Sequence, residues 1–542
     1  MSSFDAYFFS VAFTTNPYEH YVKYVQKEDR NTTGCSCNKA LAHLAYRKIL
    51  YVVQSEVRGL FLNQLEKDTV VSFFWKFFER GGNQIVALVV QIVMARLLAP
   101  EEFGILAIMQ VFISVSNIII QSGLNTSLVR AKSVDKSDFS TVFWVCFTTS
   151  IVLYLILWFS APFIADFYNS ADLAFSLRIL SIVIIVGPFA SIASAKIQRE
   201  MKFKKIFGAS LTAIILSGSL GIFLALSGFG IWALVFQQLS YQIINGLVLC
   251  IQIKWLPSFV LNINKAKRHF KFGVFLLMSG LLDTLYQGFS DLLIGKMFSA
   301  TDLGVVSQGK KYPCALGTML DGSIQPVALS ALSRIQSDIA AVKGFVRRAL
   351  KTATFIIFPA MAMAGMVAEP LIRVLLGEQW VVATPFFQMY CFVYALWPIH
   401  TTNLQAINAL GKSGVFFKLE IIKVSCGVII LLIAACVFQS IYAVVFGYIV
   451  SGIISTFVNS YPNRKLLTYS YAEQVRDIAP AVFLTLASLV IATPFSMLGL
   501  SDVAVIVVQC LVFLLAFVVL SVLFRVESLR FVVGIIKQLM GR

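Results

Sequence analysis

Charge is scarce in this 542-residue chain: Asp, Glu, Lys and Arg make up 13% of it, about half their share in a soluble domain. With apolar residues at 58%, too little polar surface remains to wrap a water-soluble core. Histidine occurs four times, never in an H-E-x-x-H or Ser-His-Asp pattern, which removes zinc-protease and triad chemistry. Of nine cysteines, seven are scattered through apolar stretches and imply no disulfide framework. The other two, Cys35 and Cys37, with His20 and His43 would supply four zinc ligands. Their C-x-C spacing is tighter than that of structural zinc sites, so no metal is expected. Gly411-Lys412-Ser413 ends like a phosphate loop, but Ala406 stands where the first glycine belongs, so nucleotide use is not expected. Long polar connections between apolar runs are missing as well. There is no room for a catalytic loop outside the membrane, and neither enzymatic activity nor a cofactor is expected.

What is present is hydrocarbon-compatible sequence. Ile179 to Ser194, Leu211 to Ile253 (broken only by Ser227-Gly228-Phe229-Gly230) and Val503 to Phe524 carry no charge and are long enough to cross a bilayer. Apolar runs read against Gly, Pro and charge breaks give about fourteen spans. They begin near Val71, Gly104, Phe139, Leu173, Ile206, Ile231, Phe270, Leu303, Val342, Val381, Val415, Ile441, Val475 and Asp502. Twelve is the rival count, because the eighth, Leu303 to Leu332, is unusually polar.

The connections alternate in charge. One set gathers the cations, with Lys196, Arg199, Lys202, Lys204 and Lys205 in one connection and Lys265, Lys267, Arg268 and Lys271 in another; the opposite set holds only Arg373. The positive-inside rule makes the first set cytoplasmic and leaves both termini inside. A basic face beside anionic lipid then accounts for the net charge of +17 without a nucleic-acid partner. Residues 1–70 do not share the pattern. Their apolar run Ala6 to Phe13 is too short for a span or a signal peptide, and no Met lies between Met1 and Met94. The extension is expected to be a mis-assigned start.

The body is written twice. Ala95-Arg96-Leu97-Leu98-Ala99-Pro100-Glu101-Glu102-Phe103-Gly104 answers Gly295-Lys296-Met297-Phe298-Ser299-Ala300-Thr301-Asp302-Leu303-Gly304 at an offset of 200 residues. Ile231 to Phe236 answers Ile441 to Phe446, and Pro188 answers Pro398, at an offset of 210. Duplicated bundles facing a central path are a recurrent transporter architecture. The fold class expected is an all-α multi-span membrane protein of two parallel-repeat six-helix lobes plus two C-terminal helices. Its parts are the extension 1–70, an N-lobe 71–260, a C-lobe 261–465, and helices 13 and 14 with a basic tail in 466–542.

Polar residues inside spans recur at three and four residues, so each set forms one helix face. The first span carries Arg80, Asn83, Gln84 and Gln91; the second Gln110, Ser114, Asn117 and Gln121. The seventh carries Asp283, Gln287 and Asp291; the eighth Lys310, Lys311 and Asp321. Hydrocarbon penalises such faces, which are expected to line a wet interior. At the offset of 200, Gln91 and Gln110 map on Asp291 and Lys310, so the second repeat has charged a pair the first keeps neutral. Asp291 is expected to pair with Lys310 or Lys311, leaving one cation free for an anion. Asp283 and Asp291 are also candidates to carry a coupling ion, H+ or Na+. Arg96 and Lys296, close to the outer interface, read as snorkelling cations.

Four segments in order, Ala95 to Gly104, Ile197-Gln198-Arg199-Glu200-Met201-Lys202-Phe203, Gly228-Phe229-Gly230-Ile231-Trp232-Ala233-Leu234-Val235 and Leu375-Leu376-Gly377-Glu378-Gln379-Trp380, resemble motifs of the polysaccharide-transporter family. These are the Wzx-type flippases of the multidrug/oligosaccharidyl-lipid/polysaccharide exporter superfamily. The resemblance runs from about Val71 to the C-terminus. It implies a bacterial inner-membrane carrier whose lobes open alternately to either face, with a polyprenyl-diphosphate-linked oligosaccharide as cargo and glycan polymerase or chain-length proteins as partners. For that cargo, Arg80, Lys310 and Lys311 are the residues expected at the diphosphate; Asn83, Gln91, Gln110, Asn117, Asp283, Gln287, Asp291 and Asp321 are lumen or coupling candidates. Two other readings stay open: a cation-coupled drug exporter of the same superfamily, and a non-transporting scaffold for glycan assembly.

Overall fold

The computed structural model describes residues 82–121, 123–130, 134–200, 203–335 and 338–539, within a compact unit Ser72–Arg542. Arg80, the four cysteine and histidine residues near the start, and the extension lie outside the described residues. Among those described, secondary structure is helical throughout. Eleven helices are long and apolar enough to cross a membrane: α2 (Pro100–Gln121), α3 (Lys136–Tyr168), α4 (Ala171–Arg199), α5 (Lys204–Leu226), α6 (Ile231–Ile253), α9 (Ile339–Met366), α10 (Glu378–Ala409), α11 (Gly414–Cys436), α12 (Ile441–Leu466), α13 (Tyr471–Leu498) and α14 (Asp502–Leu523). Three further helices are described, α1 (Gly82–Leu97), α7 (Ile263–Met297) and α8 (Ala300–Arg334). α1 is short as described, and α7 and α8 are the helices whose faces carry Asp283, Asp291, Lys310 and Lys311, which lowers their hydropathy. The chain is a multi-pass membrane protein.

The repeated motif shows why these helices start and meet where they do. Residues 102 and 302 are acids that fold back on their helix starts: the Glu102 carboxylate accepts from the Ala99 N–H, and Asp302 from the Ser299 N–H at 3.2 Å in a full capping box, satisfying donors a helix start leaves open. Gly104 and Gly304 then let α2 and α8 cross in backbone contact. A Cβ at Gly104 would collide with the Ala300 carbonyl, and one at Gly304 with the Pro100 carbonyl. The cations reach across the same seam. Arg96 donates to the carbonyls of Leu375 (2.7 Å) and Val374, the end of a short helix Ala368–Leu375. Lys296 donates to Phe167 near the end of α3 at 2.7 Å. Each half thus caps a helix of the other with a cation, where exposed carbonyls and the helix dipole favour positive charge.

Trp380 tightens this cation-poor end: fully buried, it donates from Nε1 to the Ala95 carbonyl at 2.7 Å and stacks edge-on with Phe103. Arg373, the lone cation expected here, holds Glu369, Glu378 and Asp502 at 2.8, 3.0 and 3.2 Å, so it ties α14 to the second half. α13 and α14 pack on α9 through Phe355, Leu484, Phe513 and Phe517.

At the basic end two ion-pair clamps mirror each other with reversed sign. Between α3 and α7, Asp138 is 3% exposed and accepts from Arg268 at 2.9 Å, and Asp135 from Lys265 at 2.6 Å. Between α9 and α13, Arg347 grips Asp477 through two bonds of 2.7 and 2.8 Å, and Lys343 holds Glu473 at 2.9 Å. All four pairs are 130 residues apart. α13 therefore meets α9 of the second half as α7 meets α3 of the first, with the charges exchanged.

Candidate functional site

Three polar chambers follow from the stripes. The central one, about 630 Å³, lies between the halves and takes its walls from α1 (Gln84), α2 (Gln110, Ser114), α6 (Gln238), α7 (Gln287, Asp291) and α8 (Lys310, Lys311). Lys310 and Asp291 pair at 3.4 Å, with side chains 20% and 16% exposed. Lys311, one residue on, is exposed and lines the same space. It has no acidic partner among the described residues. The expected arrangement of one paired and one free cation is therefore present.

The second chamber, about 570 Å³, belongs to the first half and is walled by α2, α4, α6 and the short helix Leu124–Arg130. Among the described residues its lining includes Asn117, Gln121, Asn125, Ser191, Gln242 and Asn245, and no charged side chain. The third, about 290 Å³, occupies the second half and is charged and aromatic, with Asp283, Lys310, His400 and Lys423 among Tyr390, Tyr394, Trp397 and Tyr448. Some of its groups are bonded, while the Tyr390 hydroxyl and Asn459 Oδ1 are buried without a partner. Gln287 donates to Asp283 at 2.8 Å, Tyr286 and Ser451 share a hydrogen bond of 2.6 Å, Asn459 meets His400 at 3.2 Å, and Lys423 pairs with Glu420 at 2.6 Å.

The candidates from the sequence thus separate. Lys310, Lys311, Asp291, Gln287 and Gln110 come together in the central chamber, Asn117 goes to the first-half chamber, and Asp283 to that of the second half. Gln110 donates to Gln238 instead of meeting Gln91, which is 8% exposed with its Nε2 unpaired. Two neutral amides lack the attraction that draws Asp291 to Lys310. Asn83 turns to α5, donating to Ser210 Oγ at 2.6 Å. Asp321 lies on α8, its side chain outside the described residues, as is all of Arg80. Sequence reasoning missed the α6 face of Gln238, Tyr241, Gln242 and Asn245, although it has the same three- and four-residue spacing, and the Glu420–Lys423 pair on α11.

Beside these chambers a groove of about 950 Å³ runs between α13 and helices α9, α10 and α12, lined almost wholly by apolar side chains such as Phe358, Phe392, Val482 and Leu486.

Residues 93–385 match the model of a family described as polysaccharide biosynthesis protein. The teichuronic acid biosynthesis protein TuaB of Bacillus subtilis (strain 168) is 22% identical over 70% of this chain and 78% of its own length. The lipopolysaccharide biosynthesis protein WzxC of Escherichia coli (strain K12) is 22% identical over 75% of this chain and 83% of its own. Among solved structures, the lipid II flippase MurJ in an inward closed conformation superposes with a TM-score of 0.70 at 15% identity, covering 84% of this chain and 99% of MurJ.

Proposed function

The chain belongs to the polysaccharide biosynthesis protein family, and from that premise we propose that it flips polyprenyl-diphosphate-linked oligosaccharides across the bacterial inner membrane by alternating access. The family reading makes it a transport protein of glycan biosynthesis; the cargo and mechanism rest on the chamber. The observation that carries them is Lys311, a cation without an acidic partner among the described residues, at a cavity between the two halves. A charge on a membrane helix costs about 2.5–3.5 kcal/mol, and a neighbouring acid would have relieved it. Left free, it offers a diphosphate a charge-assisted contact worth about 1.5–3 kcal/mol. Lys310, held by Asp291, adds a second cation, and Arg80 is proposed as a third.

The diphosphate and sugars cannot enter hydrocarbon unaided, whereas the polyprenyl chain has no reason to leave it. The apolar groove beside α13 is a place where the tail rests while the head group passes within. Asp283, in the second-half chamber, is the proposed site for a coupling H+ or Na+. In this reading the basic end and both termini face the cytoplasm, and no covalent step is involved.

Replacing the native gene by Lys310→Gln/Lys311→Gln tests the reading in cells. The expected outcome is loss of surface glycan with accumulation of its lipid-linked precursor while the protein still inserts. Unchanged surface glycan would leave the scaffold reading. Export of a cationic dye by the wild-type protein, abolished by Asp283→Asn, would favour a drug exporter.

A further inference from the structure

The first-half chamber takes no part in holding the diphosphate. We propose that it is the subsite for the sugars: it receives the uncharged distal part of the glycan while the diphosphate stays at Lys311. The assignment rests on the flippase reading and adds to it which half holds the glycan and what chemistry it suits.

Comparison of the two halves carries the argument. At the offset of 210 residues, Gly187, Ala190, Ser191, Tyr241, Gln242 and Asn245 line the first chamber, and their counterparts Trp397, His400, Thr401, Ser451, Gly452 and Ser455 line the second. Along α4 the first half has a glycine and an alanine where α10 has a tryptophan and a histidine, and its chamber is about 570 Å³ against about 290 Å³. The floor is shaped for this. A Cβ at Gly187 would lie 3.6 Å from Gln242 Nε2 and 3.7 Å from Asn117 Oδ1, so both amides face the space that Gly187 leaves open.

The lining chemistry fits hydroxyl-rich, uncharged ligands. Amides both donate and accept, as sugar hydroxyls do, and Tyr241 adds a ring with an apolar face. Asn125 donates to Ser191, yet its Oδ1 and that of Asn245 are buried without a partner. Buried acceptors left unpaired are costly, and a turn of either amide toward the chamber would let a ligand hydroxyl satisfy it. Place agrees with chemistry: on α2, Asn117 lies seven residues beyond Gln110 of the central chamber, about 10 Å at 1.5 Å per residue, the reach of a short chain of sugars.

The test uses the full-length protein in proteoliposomes and two fluorescent polyprenyl diphosphates, one carrying a single hexose and one a neutral tetrasaccharide. Gly187→Trp, which copies position 397, is expected to slow the tetrasaccharide lipid at least tenfold and leave the single-hexose lipid within twofold. Gly187→Ala, which fits the space, leaves both unchanged. Asn245→Leu removes an unpaired amide without adding much bulk and is expected to slow the tetrasaccharide lipid severalfold alone. If Asn245→Leu and Gly187→Trp treat the two lipids alike, the assignment is overturned. If Gly187→Trp loses both lipids, Asn245→Leu decides: selective loss upholds the assignment, equal rates overturn it. Wild-type protein that flips neither lipid removes the flippase reading itself, a result distinct from these.

Discussion

Gly187 and Trp397 occupy the same place in the two halves, as do Ala190 and His400, and the outcomes are opposite. One chamber is left hollow, with no charge among its described lining residues, and the other is filled by aromatic rings, Asp283 and two lysines. At the cation-poor end the halves have not diverged at all in role. Gly104 and Gly304 cross each other's chains, Arg96 and Lys296 cap each other's helices, and Glu102 and Asp302 close the same first turn. The difference teaches which positions a duplication can release. A residue in contact with its own counterpart's neighbours cannot change size without a matching change opposite, because packed interfaces do not yield gradually. A residue facing an open chamber meets no such partner, and is free to take up a new task.

The sharpest way to break the reciprocal seam is at its glycines. Gly104→Val or Gly304→Val drives a side chain into the opposing backbone and is expected to disfavour this closed arrangement by about 3 kcal/mol or more. Labelling of the native Cys314, which lines the central chamber, by an impermeant thiol reagent from the cation-poor side should rise steeply in either variant, as read by peptide mass. A response from one glycine alone would break the equivalence.

The next effect is smaller and concerns the clamps of opposite sign. Arg347→Glu sets an acid against Asp477, 5% exposed, and is expected to cost about 2 kcal/mol, discounted because Arg347 itself is 36% exposed. Arg347→Glu with Asp477→Arg gives this clamp the sign of the α3–α7 clamp and should recover most of the loss in a thermal-unfolding assay. No recovery would mean that the surroundings of each clamp, Tyr469 donating to Asp477 at 2.8 Å among them, have fixed its polarity.

Much of this was legible because the chain states it twice. The cation, acid and glycine of the motif recur at one offset, and the mid-span charges of α7 and α8 stand out against apolar neighbours, so a pair between Asp291 and one of the two lysines, with the other free, could be expected; that the partner is Lys310 is seen only in the structure. The hollow chamber could not. Small residues such as Gly187 and Ala190 look alike whether a neighbour fills the space they leave or nothing does, and that depends on α2 and α6, distant in sequence. Asn83 shows the converse: its place in a polar stripe was visible, but the direction of its side chain toward Ser210 was set by α5. The clamps were hidden because their partners lie 130 residues apart among many terminal charges, and the sign reversal conceals the likeness of the two pairings.

The most direct test of the account is the rate at which purified protein in proteoliposomes flips a fluorescent polyprenyl diphosphate tetrasaccharide, wild type against Lys311→Gln. Loss of one charge-assisted contact worth about 1.5–3 kcal/mol predicts a fall of about 10- to 150-fold. A Lys311→Gln protein that flips this lipid at the wild-type rate would contradict the account.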